Sequence, residues 1–204
     1  SGASHIDDSD GYPRLFESQS NMDEYCRIWR MIAERYAEEP IILGYELLNE
    51  PIDQKYSALY PYLQTTYQRV TAAIREVDKN HIIILDGGNF SNDFSMLNDY
   101  SFDSKIVLTG HRYNSTYVAD FAQVSNSSNL PMFIGEFGHW NGGQEQNSEI
   151  VSNIISYGMG YTYWPFKKMD NWESLLGFDS PGDWMGIQNF VNAQRDNQTQ
   201  IQNA

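Results

Sequence analysis

Cysteine, basic residues and long apolar runs are scarce in this chain of 204 residues. Its single cysteine, Cys26, excludes an internal disulfide, and the amphipathic helical pattern around it is typical of a buried structural thiol. Only 13 Lys and Arg stand against 27 Asp and Glu, and the net charge of −14 argues against nucleic acid or anionic lipid as a partner. No stretch approaches the ~18 apolar residues that cross a membrane, so we expect no membrane partner.

Two further absences concern processing and metals. The chain begins Ser1-Gly2, without a Met or a signal-peptide pattern, so we expect a processed, excised or incomplete polypeptide. The four histidines show no HExxH or similar spacing, and the sequence therefore predicts no metal site. Because 41% of the residues are hydrophobic, disorder is disfavoured, and we expect a single domain with one core over residues 1–204.

The chain shows a regular alternation of two hydrophobic patterns. Apolar residues at helical spacing predict helices over 22–38, 57–78, 115–124, 145–157 and 184–195. Short apolar runs predict strands buried on both faces over 41–48, 82–85, 106–109, 132–135 and 161–164. We also expect Asn21 to cap the first helix, a short helix near 92–98 and a frayed tail after Arg195. The alternation predicts an α/β fold, in which helices pack outside a parallel sheet.

Polar residues follow the predicted strands. Asn49 and Glu50 follow the first strand, His111 and Tyr113 the third, and Glu136 the fourth. Because parallel strands point their carboxyl ends at one rim, we expect these side chains to converge there. Two carboxylates that face each other across a cleft are the apparatus of glycoside hydrolysis, in which one donates a proton and the other attacks or stabilises the sugar. The alternative is that strand-end carboxylates cap neighbouring helices.

The motifs at these strand ends resemble those of glycoside hydrolase family 5. The run Gly44-Tyr45-Glu46-Leu47-Leu48-Asn49-Glu50-Pro51 resembles the motif of the family's fourth strand, which ends in Asn-Glu-Pro. Gly135-Glu136-Phe137-Gly138 resembles the seventh-strand motif, and His111-x-Tyr113 the sixth. Trp164 stands where the family has a tryptophan on its eighth strand. The four motifs occur in order, at the ends of consecutive predicted strands.

The resemblance implies a (β/α)8 TIM barrel and a retaining β-glycosidase that uses no cofactor and no metal. It implies that Glu50 is the acid/base and Glu136 the nucleophile, with Tyr113 holding Glu136. Asn49 would bond the sugar hydroxyl next to the reacting carbon, and His111 would line the reacting subsite. Trp164 would form the stacking floor there. Three loop tryptophans are further candidates for sugar subsites, or else pack under their own loops: Trp140, Trp172 and Trp184.

The resemblance covers strands four to eight of the family, whereas a complete barrel needs about 250 residues. The family's strands one to three, which usually bring an Arg and a His to the site, have no counterpart in this chain. We therefore expect a complementary amino-terminal barrel segment on another polypeptide, with self-association as the alternative. The resemblance also favours a secreted protein.

Three functions stay open at this point. We favour an enzyme that hydrolyses β-linked glucans or related β-glycosides by double displacement, the poly- or oligosaccharide being its partner. The second is a non-catalytic fragment that binds glycan or pairs with the missing part of the barrel. The third is another barrel hydrolase, which uses the two glutamates on a bond outside sugars.

Overall fold

The structure, a computed structural model, describes residues 12–138, 144–169, 174 and 176–202. The chain divides into two compact units, Ser1–Thr162 and Tyr163–Ala204. The first unit carries a five-stranded sheet, and the second carries two short strands and a long helix. The expectation of a single domain over residues 1–204 stays a prediction.

The sheet of the first unit is parallel throughout. Its strands are β1 (Gly44–Glu46), β2 (Ile82–Asp86), β3 (Ile106–Tyr113), β4 (Met132–Gly138) and β5 (Gly160–Tyr161). They lie in sequence order, and each neighbouring pair is parallel. The strands are joined through α2 (Tyr60–Arg75), a single turn α3 (Gly88–Ser91), α4 (Ala119–Ser128) and α5 (Gln144–Ser156). A 3₁₀ turn (Arg14–Phe16) and α1 (Gln19–Tyr36) precede β1, and a second 3₁₀ turn (Gln54–Leu59) precedes α2. This is the α/β arrangement that the alternating patterns predict.

The core of the first unit lies between the sheet and its helices. Four side chains at helical spacing on α2 are fully buried: Leu63, Tyr67, Val70 and Ile74. Ile83 and Leu85 are buried on β2, on the face opposite to Asp86, because side chains alternate along a strand. The Tyr67 hydroxyl donates to the backbone carbonyl of Asp86 at 2.8 Å, which ties α2 to the carboxyl end of β2.

The first helix begins before the predicted position. The side chain of Ser18 accepts the backbone N–H of Asn21 at 3.2 Å, so Ser18 is the N-cap and α1 starts at Gln19. The expectation that Asn21 caps this helix is therefore wrong. Asn21 lies in the first turn, where it supplies the N–H that the cap satisfies.

Two strands continue beyond their apolar runs. β3 reaches Tyr113 and β4 reaches Gly138, because the parallel pairing of the two strands persists through the polar residues. His111 lies opposite Glu136 in this pairing, after a register shift between Gly110 and His111. The His-x-Tyr motif and Glu136 therefore lie within β3 and β4, and not in the loops that follow these strands.

The first strand is shorter than its apolar run. β1 covers three residues of the predicted 41–48, and Ile41 and Leu43 are 89% and 70% exposed. The prediction of burial on both faces is wrong at these two positions. Among the described residues β1 pairs with β2 alone, so its other edge has no strand to extend the ladder or cover the apolar side chains.

The connection after β2 is a tight turn. The expectation of a short helix near 92–98 is wrong. The backbones of Gly88 and Asp93 exchange two hydrogen bonds, of 2.7 and 2.9 Å, which close the turn within six residues. Inside it, Asn89 and Phe90 have φ of 51° and 56°, in the left-handed region. Because the chain has already reversed at Asp93, the following residues run on as a loop.

The second unit contains two short strands that the sequence patterns do not indicate and a helix that they do. β6 (Lys167–Met169) pairs with β7 (Leu176–Phe178), and α6 (Trp184–Gln202) follows. α6 extends beyond the predicted 184–195, so the residues expected to fray after Arg195 are helical up to Gln202. No helix among the described residues has both the length and the apolar character to span a membrane.

Candidate active site

Two glutamates and a histidine meet at the carboxyl ends of β1, β3 and β4. Nδ1 of His111 lies 2.7 Å from Oε1 of Glu50 and 3.7 Å from Oε2 of Glu136. A carboxylate oxygen of each glutamate and the ring nitrogen lie within 4.8 Å of one another. The His111 side chain is 1% exposed, whereas those of Glu50 and Glu136 are 13% and 21% exposed. The imidazole ring is therefore buried between two carboxylates that remain open to a ligand.

Tyr113 fixes the second of these carboxylates. Its hydroxyl donates to Oε2 of Glu136 at 2.5 Å, the same oxygen that faces His111. Tyr113 and His111 stand two residues apart on β3, so their side chains share one face of the sheet. A hydrogen bond to a charged acceptor is stronger than one between neutral groups, and here it orients the carboxylate. The spacing of the His-x-Tyr motif thus places two polar groups around Glu136.

Gly135 allows β3 and β4 to approach each other at this point. A Cβ at this position would lie 2.3 Å from Oγ1 of Thr109 and 3.3 Å from Nε2 of His111. The first distance is a collision with the side chain of a fully buried residue. The glycine before Glu136 is therefore required by close packing beneath the site.

The turn that carries Glu50 has an unusual backbone conformation. Glu50 and Ile52 have φ of 46° and 54°, in the left-handed region that costs non-glycine residues roughly 1–3 kcal/mol each. Two hydrogen bonds hold the turn from neighbouring elements. The N–H of Glu50 donates to Oδ1 of Asp86 at 3.2 Å, and the N–H of Asn89 donates to the carbonyl of Ile52 at 2.8 Å. The turn after β1 is thus anchored on the turn after β2.

A second acidic pair lies beneath the two glutamates. Groups of Glu46, Asp86 and His111 lie within 4.8 Å of one another. Burial, together with repulsion from Glu46, raises the pKa of Asp86 far above its usual range. Burial also raises the pKa of Glu46, although His111 and a hydrogen bond with Asp86 act against it. Glu46 stands on the edge strand β1 and is more exposed than the fully buried Asp86.

Neither residue of this pair was selected from the sequence. Asp86 is the first polar residue after four apolar ones on β2, a position that marks it as a strand-end carboxylate. Glu46 lies within an apolar run, and strand alternation places it opposite the buried Tyr45, facing Asp86. The alternation of side chains was the available signal for Glu46.

The other predicted site residues are Asn49 and the tryptophans. Asn49 lies beside Glu50 in the same turn and is exposed to solvent. Trp164 belongs to the second unit, where Nζ of Lys168 lies 5.0 Å from the centroid of its ring. Trp184 opens α6, while Trp140 and Trp172 lie outside the described residues. Sugar contacts for all of these residues stay predictions.

The donor sets of the site permit more than one chemistry. The trio Glu50, His111 and Glu136 and the trio Glu46, Asp86 and His111 each offer nitrogen and oxygen atoms close enough to hold a cation. Two carboxylates that face each other also suffice for acid/base and nucleophilic steps without a metal. The expectation that no metal or cofactor takes part stays a prediction.

Comparison with known proteins points to one family. A family model described as Cellulase (glycosyl hydrolase family 5) matches residues 4–170. Endoglucanase C of Acetivibrio thermocellus is 28% identical over 144 residues, which cover 70% of this chain and 40% of that protein. A beta-xylosidase of Phanerodontia chrysosporium is 35% identical over 95 residues, which cover 47% of this chain and 19% of that protein.

Similarity to a solved structure identifies the fold. The chain matches the endoglucanase Cel5A from Thermotoga maritima with a TM-score of 0.64 and 20% sequence identity. The match covers 76% of this chain and 62% of that one. The parallel sheet and its helices are part of a (β/α)8 barrel, which confirms the predicted fold class. The chain spans less than half the length of the two curated relatives and about three fifths of Cel5A.

Proposed function

Because this chain belongs to glycosyl hydrolase family 5, we propose that the protein hydrolyses β-linked glucans or related β-glycosides with retention of anomeric configuration. The observation that carries the proposal is the closeness of Glu50 and Glu136, since one carboxylate oxygen of each lies within 4.8 Å of the other. Retaining enzymes place their two carboxyl groups about 5–5.5 Å apart, whereas inverting enzymes leave about 6.5–9.5 Å for a water molecule. The short spacing supports a covalent intermediate.

The proposed reaction has two steps. In the first, Glu50 donates a proton to the glycosidic oxygen while a carboxylate oxygen of Glu136 attacks the anomeric carbon, and the leaving sugar departs with the proton. In the second, Glu50 accepts a proton from water, whose oxygen attacks the same carbon and releases Glu136. The Tyr113 hydroxyl holds Glu136, and Nδ1 of His111 lies close to an oxygen of each carboxylate. Neither step requires a cofactor or a metal.

Substrate contacts are assigned from the family motifs. Asn49, next to Glu50 in the exposed turn, bonds the sugar hydroxyl beside the reacting carbon. Trp164 forms the floor on which the reacting sugar stacks. Two of the similar proteins are named as endoglucanases and one as a beta-xylosidase. These names favour β-linked glucans as the first substrate class and other β-glycosides as the second.

The complete site requires the rest of the barrel. We propose that residues 1–204 belong to one catalytic domain, and that a complementary amino-terminal segment supplies the remaining strands. The free edge of β1 among the described residues supports this, because a closed barrel pairs both edges of every strand. Self-association of two copies is the alternative. The mass of the native protein, compared with its denatured polypeptides, distinguishes two different chains from two copies of one.

The stereochemistry of the first product tests the proposal. The protein is given a cello-oligosaccharide, and the anomer released at early times is read by proton NMR. We expect the β-anomer first, whereas an α-anomer as first product refutes double displacement. Absence of hydrolysis on glucan, xylan and aryl β-glycosides, with glycan binding retained, would instead identify a non-catalytic fragment.

Substitution of the two glutamates separates their roles. Glu136→Gln should abolish hydrolysis of every substrate, because the covalent bond cannot form. Glu50→Gln should impair substrates with poor leaving groups far more than nitrophenyl glycosides, which need little protonation. Glu76→Gln is a matched control, since Glu76 is an exposed glutamate paired with Arg30 at 2.9 Å. This control should keep full activity.

A further inference from the structure

Asp86 is a fully buried carboxyl group that the proposed reaction does not use. It ends β2 directly below the turn that carries Glu50. Its Oδ1 accepts the backbone N–H of Glu50 at 3.2 Å and the hydroxyl of Ser91. Asp86 is too deeply buried to touch a substrate, so an effect on the reaction passes through the residues that it contacts.

The hydrogen bond that Asp86 accepts involves a residue with a strained backbone, Glu50. Glu50 has φ of 46°, and a side chain in this left-handed conformation requires support from its surroundings. The hydrogen bond from its N–H to Asp86 fixes the backbone at the point from which the carboxylate projects. That carboxylate reaches His111 at 2.7 Å. A shift of this backbone would move the proton donor away from its partner.

Asp86 also faces the other end of the same ring. Its Oδ1 lies 3.9 Å from Nε2 of His111, while Nδ1 of that ring contacts Glu50. Ser91, itself fully buried, holds the Asp86 oxygen in place from the turn after β2. One oxygen atom therefore contacts the backbone of Glu50 and approaches the ring that binds its carboxylate.

We propose that Asp86 is a positioning residue for the acid/base Glu50, which it holds in the left-handed conformation through its Oδ1. The proposal rests on the proposed function. Asp86 acts here through an oxygen atom that accepts hydrogen bonds from Glu50 and Ser91. Burial and repulsion from Glu46 raise the pKa of this carboxyl well above its usual range. Asn keeps an oxygen that can accept the N–H of Glu50 in a side chain of the same shape, and Leu reproduces only its approximate size.

Kinetics on two leaving groups tests the proposal. For Asp86→Leu we expect kcat/KM on a β-glycan to fall by about 100-fold, the usual contribution of a general acid. On a nitrophenyl glycoside kcat/KM should fall by less than about 5-fold, because bond cleavage there needs little acid assistance. Asp86→Asn should stay close to wild type on both substrates. An equal loss on both substrates, or an Asn variant as impaired as the Leu variant, overturns the proposal.

A matched control and a second variant separate positioning from folding. Asp78 is another buried aspartate, which precedes β2 and accepts the backbone N–H groups of Asn80 and His81 at 2.7 and 3.1 Å. Asp78→Asn should lower the Tm and leave the ratio of the two kcat/KM values unchanged. If Asp86→Leu fails to fold, Ser91→Ala removes the other bond to Oδ1 and should produce a smaller change of that ratio. An unchanged ratio in Ser91→Ala then contradicts the proposal.

A spectroscopic readout keeps the inference separate from the proposed function. The 2.7 Å contact between His111 and Glu50 predicts a downfield ring N–H signal in the proton NMR spectrum of the wild-type protein. The signal should persist in Asp86→Asn and shift or vanish in Asp86→Leu. If it stays in place in Asp86→Leu, Asp86 does not position Glu50. Wild-type protein that shows the signal but hydrolyses no glycoside would refute the function and leave the positioning intact.

Discussion

Acid should destabilise the fold through Asp78, which lies between α2 and β2. Burial alone would raise the pKa of this carboxyl, but hydrogen bonds from the Tyr45 hydroxyl and the N–H groups of Asn80 and His81 outweigh it and lower the pKa to about 2. Tyr45 donates at 2.7 Å, and Nδ1 of His81 lies 2.5 Å from the same carboxylate oxygen. The ionised form is therefore bound more strongly in the folded state than in the unfolded chain.

The sign and size of the effect follow from this difference. A pKa that is lower in the folded state gives stability that is present above the unfolded value of 3.8 and is lost as the pH falls towards 2. At ~1.4 kcal/mol per pH unit, the gap between 3.8 and about 2 corresponds to about 2 kcal/mol. That is a large fraction of the 5–15 kcal/mol (roughly) that stabilises an ordinary domain.

Urea denaturation between pH 7 and pH 2.5 measures this contribution. Because pH 2.5 is still above the folded pKa of about 2, the wild-type free energy of unfolding should fall over this interval by about 1.5 kcal/mol more than that of Asp78→Asn, which has no carboxylate to protonate. Asp99→Asn is the control, because Asp99 is an exposed aspartate that bonds Ser101 at the surface. If wild type and Asp78→Asn lose stability in parallel as the pH falls, the reasoning about Asp78 is refuted.

Three other substitutions test the site and the core. Tyr113→Phe removes the hydroxyl that donates to Glu136. Because a hydrogen bond to a charged group contributes about 1.5–3 kcal/mol, kcat/KM should fall by about 10- to 100-fold. A loss below about 3-fold in steady-state assays would contradict this role. Gly135→Ala forces a Cβ against Thr109 and should lower both the Tm and the activity; a calorimetric Tm equal to that of wild type would argue against the close packing. Leu63→Ala empties a fully buried site on α2 and should cost about 2–5 kcal/mol in urea denaturation, while a cost below ~1 kcal/mol would place Leu63 outside the core.

The sequence predicts that Glu50, His111 and Glu136 lie close together, because of where they stand relative to the strands. Glu50, His111 and Glu136 each stand at or beyond the end of an apolar run, and parallel strands bring such ends to one rim. The contacts of His111 with both glutamates agree with this expectation. Their chemical roles rest on the family motif and stay predictions.

Glu46, which lies inside an apolar run rather than at its end, could not be identified in the same way. An apolar run does not say which of its faces lies inward, so the sequence does not single out Glu46 within β1. Gly87-Gly88 and Asn89 are residue types that indicate a turn, but Phe90 rarely adopts the left-handed region, so its φ of 56° could not be predicted from local propensity. The conformation of this turn depends on the hydrogen bond from the N–H of Asn89 to the carbonyl of Ile52, which is remote in the sequence. It also depends on the two hydrogen bonds between Gly88 and Asp93. Exposure of Ile41 and Leu43 likewise depends on which strands lie beside β1.

The register shift between β3 and β4 has an evolutionary consequence. Gly110 lies opposite Ile134, but His111 lies opposite Glu136, so Gly135 is an extra residue on β4. A slip of one residue in a strand turns every later side chain to the other face. Loss of this glycine would thus turn Glu136 away from His111, without any change in the chemistry of either residue. Insertions and deletions should therefore accumulate in the loops of related sequences, while the count of residues between Ile134 and Glu136 stays fixed.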